Sequence, residues 1–382
     1  MSVGALPQTH SEDAKTSSDP AVLFSKGQMA LQSGDLDGAE KAFRQVLAID
    51  PKAAAAYSNL GVIAMRRKDW DQALKLLGKA QKLAPKVSGV RLNIGLVYYR
   101  EGDYASAIPA LSSVLKDQPD SEQARYLLGL CDLFIQDYSN GVLVLEPLWP
   151  KKSNDIIYLY VLSITSSAAG RKELEEKALT RLIEVGGDTP EFHLLLGKAY
   201  LNRQETEKAA AELESAASLS PNLPFVHFNL GICYARTGDN RAEAEFRREI
   251  ALEPDLPDTY ELLGEFYLRA GKEQEAEKYY EEALRRSSRM GGSHFGIAKI
   301  RLHQGKYEQA LAEIDIASRL APDSQGVHNL RGQILSKLGR KEEAQAEFAR
   351  VKKMTDANYS KDVESFSEGR VPNPELTRQP QP

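Results

Sequence analysis

Apolar residues of two sizes recur along this chain at a fixed interval of 34 residues. Small residues stand at Gly27, Gly61, Gly95, Gly129, Ser163, Gly197, Gly231, Gly264, Ala298 and Gly332, with a single step of 33 between 231 and 264. A second series runs through Ala39, Ala73, Ala107, Gly141, Glu175, Ala209, Ala242, Ala276, Ala310 and Ala344 and carries the same short step. Four residues beyond each of these comes Phe43, Leu77, Leu111, Leu145, Leu179, Leu213, Phe246, Tyr280, Ile314 or Phe348, all apolar. Three series that share one deletion define a phase. Each interval reads as two amphipathic helices. Small residues let their backbones approach, and the large residue one turn further on fills the gap.

The punctuation agrees with that phase. Gly34, Gly102, Gly170, Gly238, Gly271, Gly305 and Gly339 fall between the two helices, where a left-handed residue ends the first. Pro51, Pro85, Pro119, Pro221, Pro254 and Pro322 stop the second helix of six repeats. One hairpin cannot bury its apolar face alone, whereas a stack can. The expected fold is therefore all-α, an α-solenoid of ten hairpins over residues 20–53, 54–87, 88–121, 122–155, 156–189, 190–223, 224–256, 257–290, 291–324 and 325–358. Residues 1–19, rich in Ser, Thr and Asp without periodicity, are expected to form a disordered arm. Residues 359–382 are expected to hold a short capping helix around Asp362 to Phe366 and a disordered, proline-rich tail from Gly369. Repeats four and five depart most from the pattern. They lack the terminal proline, carry Gly141 and Glu175 in the second series, and place Pro147, Trp149 and Pro150 where a second helix should finish. They read either as drifted repeats or as a local bend.

The pattern resembles the tetratricopeptide repeat over about residues 20–357, and the motif is specific because it recurs in register. The resemblance implies a right-handed superhelix whose first helices line a concave groove for peptides or partner helices. On this phasing the groove positions are Leu92, Leu96, Tyr99 and Arg100 in repeat three, and Tyr126, Leu130, Leu133 and Phe134 in repeat four. Repeat five offers Ile157, Tyr160 and Ile164, and repeat seven Phe225, Phe228, Ile232 and Arg236. So many apolar residues on a solvent-facing surface mark either an interaction site or a face covered by the superhelix itself or by self-association. Asn59, Asn93 and Asn229 share one position that in some members of the family holds an extended peptide backbone; an amide both donates and accepts there. Leu127, Val161, Leu195, Leu262, Gly296 and Leu330 interrupt that series, so a helix and an extended peptide both remain open as occupants. The clustered Lys, Arg and Asn of the two-carboxylate clamp in chaperone-binding relatives are not found. Repeats eight to ten are polar instead, with Asp258, Glu261 and Glu265 near Lys299, Gln333 and Lys337.

Composition narrows the partner. Hydrophobic residues make up 42% and charged residues 27%, with a net charge of −5, which favours neither nucleic acid nor an anionic membrane. The longest uncharged run, Ile156 to Gly170, is too short to span a bilayer and reads as a buried helix. No signal peptide is visible in the first nineteen residues, so a cytoplasmic location is expected, or export if the true start lies upstream. Cys131 and Cys233 fall at one equivalent position and read as buried thiols. His193 and His227, like His294 and His328, recur at one repeat position. Equivalent residues in adjacent repeats lie roughly 8–10 Å apart, too far to share a zinc ion, so these are assigned to packing between repeats. No phosphate loop, metalloprotease helix, nucleophile elbow or kinase signature is present. The expected function is a non-catalytic scaffold or adaptor with no cofactor and no metal, holding a protein or peptide partner through Asn59, Leu92, Asn93, Leu96, Tyr99, Tyr126, Leu130, Phe134, Tyr160, Phe225, Phe228 and Asn229. The alternatives are a self-assembling homodimer and a substrate-recruiting subunit of an enzyme on another chain.

Overall fold

The computed structural model describes the backbone of residues 19–367 and the side chains of residues 19–356. The expected N-terminal arm, apart from Asp19, the tail from Gly369, and the side chains of the expected cap at Asp362 to Phe366 lie outside the described residues. The chain divides after Gly187 into two compact bodies.

The N-terminal body holds five hairpins. They pair α1 (Pro20–Ser33) with α2 (Leu36–Ile49), α3 (Ala54–Arg66) with α4 (Trp70–Leu83), and α5 (Ser88–Glu101) with α6 (Tyr104–Asp117). Next come α7 (Glu122–Phe134) with α8 (Tyr138–Leu145), then α10 (Ile156–Ala168) with α11 (Lys172–Gly186). Between the last two hairpins a 3₁₀ turn, Glu146–Leu148, and a one-turn helix α9 (Trp149–Lys152) continue the winding. The C-terminal body holds α12 (Pro190–Asn202) with α13 (Thr206–Leu219), α14 (Val226–Thr237) with α15 (Arg241–Leu252), and α16 (Pro257–Arg269) with α17 (Glu273–Arg286). It continues through α18 (Gly291–His303), α19 (Tyr307–Leu320), α20 (Gln325–Lys337) and α21 (Lys341–Ser367). That last helix runs unbroken across the expected boundary at residue 358, so no separate capping helix begins there.

The apolar series meet as their spacing predicts. A Cβ placed on Gly95 would lie 2.7 Å from Leu111, and one on Gly61 2.6 Å from Leu77; across the hairpin the small residue makes room for the large one. The large residues from Phe43 to Ile314 are buried, while Phe348 in the last hairpin is 39% exposed. All seven turn glycines adopt positive φ. Lys68, Gln136 and Gln204 occupy the three turns without glycine and are left-handed too, against a steric cost of about 1–2 kcal/mol each. Asp35, Asp69, Asp103 and Asp137 accept the backbone N–H three residues on, closing the N-termini of α2, α4, α6 and α8.

The irregular repeats have a physical account. Pro147 and Pro150 remove backbone donors, so the second element of repeat four is divided into α, 3₁₀ and α pieces rather than stopped. Gly141 and the small residues of α10 make room for a buried polar group, and a Cβ on Gly141 would meet Thr165 and Asp132. Asp132 accepts from Asn140 Nδ2 at 2.7 Å. Burial, then the charge of Asp137, pushes its carboxyl up to about 6, with the Asn140 bond opposing. A carboxyl raised in the folded state favours folding while protonated and loses that contribution as pH rises from about 4 to about 6. Asp132→Asn, which keeps an acceptor for Asn140, is expected to match the wild type near pH 4. By pH 7 it should be more stable on the order of 2 kcal/mol in urea titrations.

Among the described residues no helix is long and apolar enough to cross a membrane. The uncharged run expected as a buried helix is α10, which buries Tyr158, Leu159, Val161 and Leu162; the Tyr158 hydroxyl donates to the Leu145 carbonyl at 3.1 Å.

Candidate partner-binding site

The groove residues of repeats three to five share the N-terminal body, and the best defined of them form an aromatic group. Tyr99 lies in the last turn of α5, Tyr104 opens α6 after the left-handed Gly102 and the cap Asp103, and Phe134 closes α7. The Tyr104 and Phe134 rings stack at 4.4 Å and 18°, and Tyr99 lies 5.8 Å from Tyr104 and 6.3 Å from Phe134. Phe134 keeps 50% of its surface exposed. Leu92, Leu96 and Tyr99 are half-buried, packed against Ala107, Leu111, Leu127, Leu128 and Cys131, so they belong partly to the core. Tyr104 was not among the expected site residues. Its signal in the sequence is an aromatic directly after the turn Gly102-Asp103.

Leu130 and Tyr160 are also half-buried. Tyr126 carries the Lys152 ammonium 5.9 Å above its ring. Burial, then the charges of Asp155 and Tyr99, pushes its hydroxyl up to about 12; burial does the same for Tyr160. Ile157, at the start of α10, is 56% exposed.

Repeat seven belongs to the other body and differs in build. Phe225 is left-handed (φ 69°) and 45% exposed, Phe228 is half-buried, and Asn229 is buried. Both phenylalanine N–H groups donate to one carboxylate, Phe225 to Glu249 Oε1 at 2.8 Å and Phe228 to Oε2 at 3.0 Å. Glu249 closes the N-terminus of α14 in place of a Ser or Asp cap. Two of the three asparagines bond back onto their own helices. Asn229 Nδ2 donates to Phe225 O at 2.6 Å and Asn59 Nδ2 to Ala55 O at 3.0 Å, each onto its own helix, so those N–H groups are already engaged; Asn93 is half-buried on α5.

The histidines contact the preceding repeat and also join the two helices of their own hairpin. His227 on α14 reaches Glu245 on α15 of the same hairpin through Nδ1 at 2.5 Å, and Nε2 donates to the Pro221 carbonyl at 2.8 Å. His294 and His328 repeat this with Glu313 and Ser288, and with Glu347 and Pro322. His193 bridges Glu212 and Asp188; burial draws its pKa down, but those two carboxylates outweigh it and hold the ring above the ordinary histidine value. Arg91, Arg125 and Tyr260 occupy the same repeat position and donate to the carbonyls of Pro85, Pro119 and Pro254. In repeats three, four and six to ten the position therefore ties the first helix to the turn before it. Among the described residues no three His, Cys, Asp or Glu side chains gather as metal ligands. Cys131 and Cys233 are buried, which pushes their thiols up to about 12 and about 11.

Models of the tetratricopeptide repeat match residues 30–91 and 267–334, residues 92–133, 176–224 and 240–290, and residues 326–358, together well over half of the chain. The chain belongs to the tetratricopeptide-repeat family. Its fold is that family's all-α solenoid. The human IFIT1 dimer with PPP-AAAA is similar at 14% identity and a TM-score of 0.52, covering 88% of this chain and 91% of that one. The IFIT1 dimer with m7Gppp-AAAA gives 14%, 0.51, 88% and 90%. Yeast Tom70 is 16% identical with a TM-score of 0.46, covering 93% of this chain and 90% of its own. The IFIT1 likeness speaks to the fold alone. No curated protein matches the chain.

Proposed function

We propose that this tetratricopeptide-repeat protein is a non-catalytic scaffold that holds a segment of a protein partner against the first helices of repeats three to five. The observation that carries this reading is the Tyr99, Tyr104 and Phe134 group, in which Phe134 is fixed by stacking yet half open to solvent. A ring already held in place loses little entropy on contact and offers a large apolar area, the character of an interface anchor. Tyr126 adds a rigid aromatic from the same helix as Phe134, and Ile157 an exposed apolar side chain from the next repeat. Chemistry finds little support, since burial holds both thiols far from their reactive thiolate form. The PPP-AAAA of the IFIT1 structure does not transfer readily, because a net charge of −5 supplies no excess of cations for a polyphosphate.

Tyr126→Ala combined with Phe134→Ala is expected to weaken capture of a partner protein at least tenfold, with circular dichroism unchanged. Partner identification from wild-type and doubly substituted baits, with PPP-AAAA as a control titrant, makes the comparison. Capture that survives both substitutions would show that this face is not the site. If the face instead joins two copies of the chain, light scattering across a dilution series will report a dimer that the double substitution dissociates.

A further inference from the structure

We infer that a cleft on the first-helix face of repeats eight and nine is a receptor for one lysine or arginine side chain of a partner segment, floored by Glu261 and the Tyr280 hydroxyl. It lies wholly within the C-terminal body and does not rest on the aromatic group of repeats three and four. Glu261, Glu265 and Arg269 of α16 form one wall, Phe295 and Lys299 of α18 the other, and Tyr280 of α17 the base of a space of about 230 Å³.

The space exists because two positions of α18 carry no side chain. A Cβ on Gly292 would come within 2.5 Å of Glu261 Oε1, and one on Gly296 would enter the Tyr280 ring. The same two repeat positions hold Ile157 and Val161 in repeat five, and Phe225 and Asn229 in repeat seven. Gly296 also brings the Tyr280 hydroxyl to the cleft. That side chain is 2% exposed, and its hydroxyl has no hydrogen-bond partner among the described residues. The hydroxyl opens on the cleft and is free to bond whatever enters it.

Charge selects the guest. Glu261 uses Oε2 to accept from the Ser293 backbone N–H at 2.6 Å and the Ser293 hydroxyl at 2.9 Å, and among the described residues no cation pairs with it. Burial raises its carboxyl above the usual value; the Ser293 bonds oppose this, and Asp258 and Glu265 add to it. Arg269 is already engaged by Glu265 at 2.5 Å. Lys299 is exposed, with its ammonium 5.8 Å over the Phe295 ring. Arg269 neutralises Glu265, so the unpaired carboxylate of Glu261 is what an anion would meet at the floor, and a neutral group would leave it unpaired. An ammonium or guanidinium would instead find the free Oε1 of Glu261 and the Tyr280 oxygen as acceptors. A long stem suits the path between Gly292 and Gly296.

A fluorescein-labelled heptapeptide, Gly-Ala-Leu-Arg-Leu-Ala-Gly, and its counterpart with citrulline for arginine differ in charge and hardly in shape. Fluorescence polarisation with the full chain is expected to show the arginine peptide binding at least tenfold tighter, and the difference should shrink as salt is added. Glu261→Gln, which can still accept from Ser293, is expected to erase the preference, and Tyr280→Phe to reduce it several-fold, with circular dichroism unchanged. The Tyr126→Ala, Phe134→Ala chain should keep it, so this inference and the proposed scaffold site can fail separately. Equal binding of the two peptides, no binding of either, or a preference that survives Glu261→Gln would each overturn the assignment.

Discussion

Gly95→Leu is expected to destabilise the N-terminal body by about 3 kcal/mol, the upper range for overpacking a well-filled contact. Any side chain at position 95 begins with a Cβ 2.7 Å from both Leu111 Cγ and Cδ2, and Leu111 is fully buried with no free volume to enter. The cost therefore comes from displacing α5 against α6 rather than from helix propensity, for which leucine is the better residue. Gly78 supplies the comparison. It also lies within a helix, α4, but a Cβ there meets nothing within 4 Å. Gly78→Leu should be neutral or stabilise by up to about 1 kcal/mol. Both tryptophans, Trp70 and Trp149, are in the N-terminal body, so urea titration followed by tryptophan fluorescence reads that body directly. Equal midpoints for the two variants would remove Gly95 from the helix contact.

Glu249→Ala should cost the C-terminal body about 3 kcal/mol. The carboxylate is fully buried and serves two backbone donors at the start of α14. Each charge-assisted bond of this kind contributes about 1.5–3 kcal/mol, and alanine leaves the Phe225 and Phe228 N–H groups without an acceptor. The left-handed Phe225 then loses one of the contacts that hold it in a sterically costly conformation. Glu249→Gln keeps a single acceptor and should lose about half as much. Circular dichroism during urea titration makes the measurement. Identical midpoints for glutamate, glutamine and alanine would mean that α14 needs no cap.

The hairpins, their phase and their turns were legible because each repeat states the same packing problem again. Gly95 against Leu111 could be inferred from nine parallel examples, and the left-handed turns from seven glycines. Lys68, Gln136 and Gln204 show that the backbone keeps the turn even where the residue opposes it, since the helices on either side dictate it. Repeat four was legible only as an irregularity; its division into α, 3₁₀ and α follows from two missing donors that no single motif announces. The candidate site was read less well. Leu92 and Leu96, picked as groove residues, pack partly into the core, and Tyr104, outside that selection, completes the aromatic group with Phe134. Glu249 did leave a trace, as the one charge in a series that otherwise runs Val46, Ala80, Val114, Leu148, Leu182, Ala216, Ala283, Ala317 and Val351.

Periodic burial is a local matter, because a residue's place within its repeat decides which neighbour it meets. The order of residues alone was therefore enough to establish the family, the ten hairpins and the buried glycine contacts. Which side chains point outward, and what meets them, depends on contacts between helices far apart in sequence. Only the folded chain could turn Asn229 onto its own helix, give each of His193, His227, His294 and His328 a glutamate across its hairpin, and leave Glu261 and Tyr280 facing a cleft that Gly292 and Gly296 hold open.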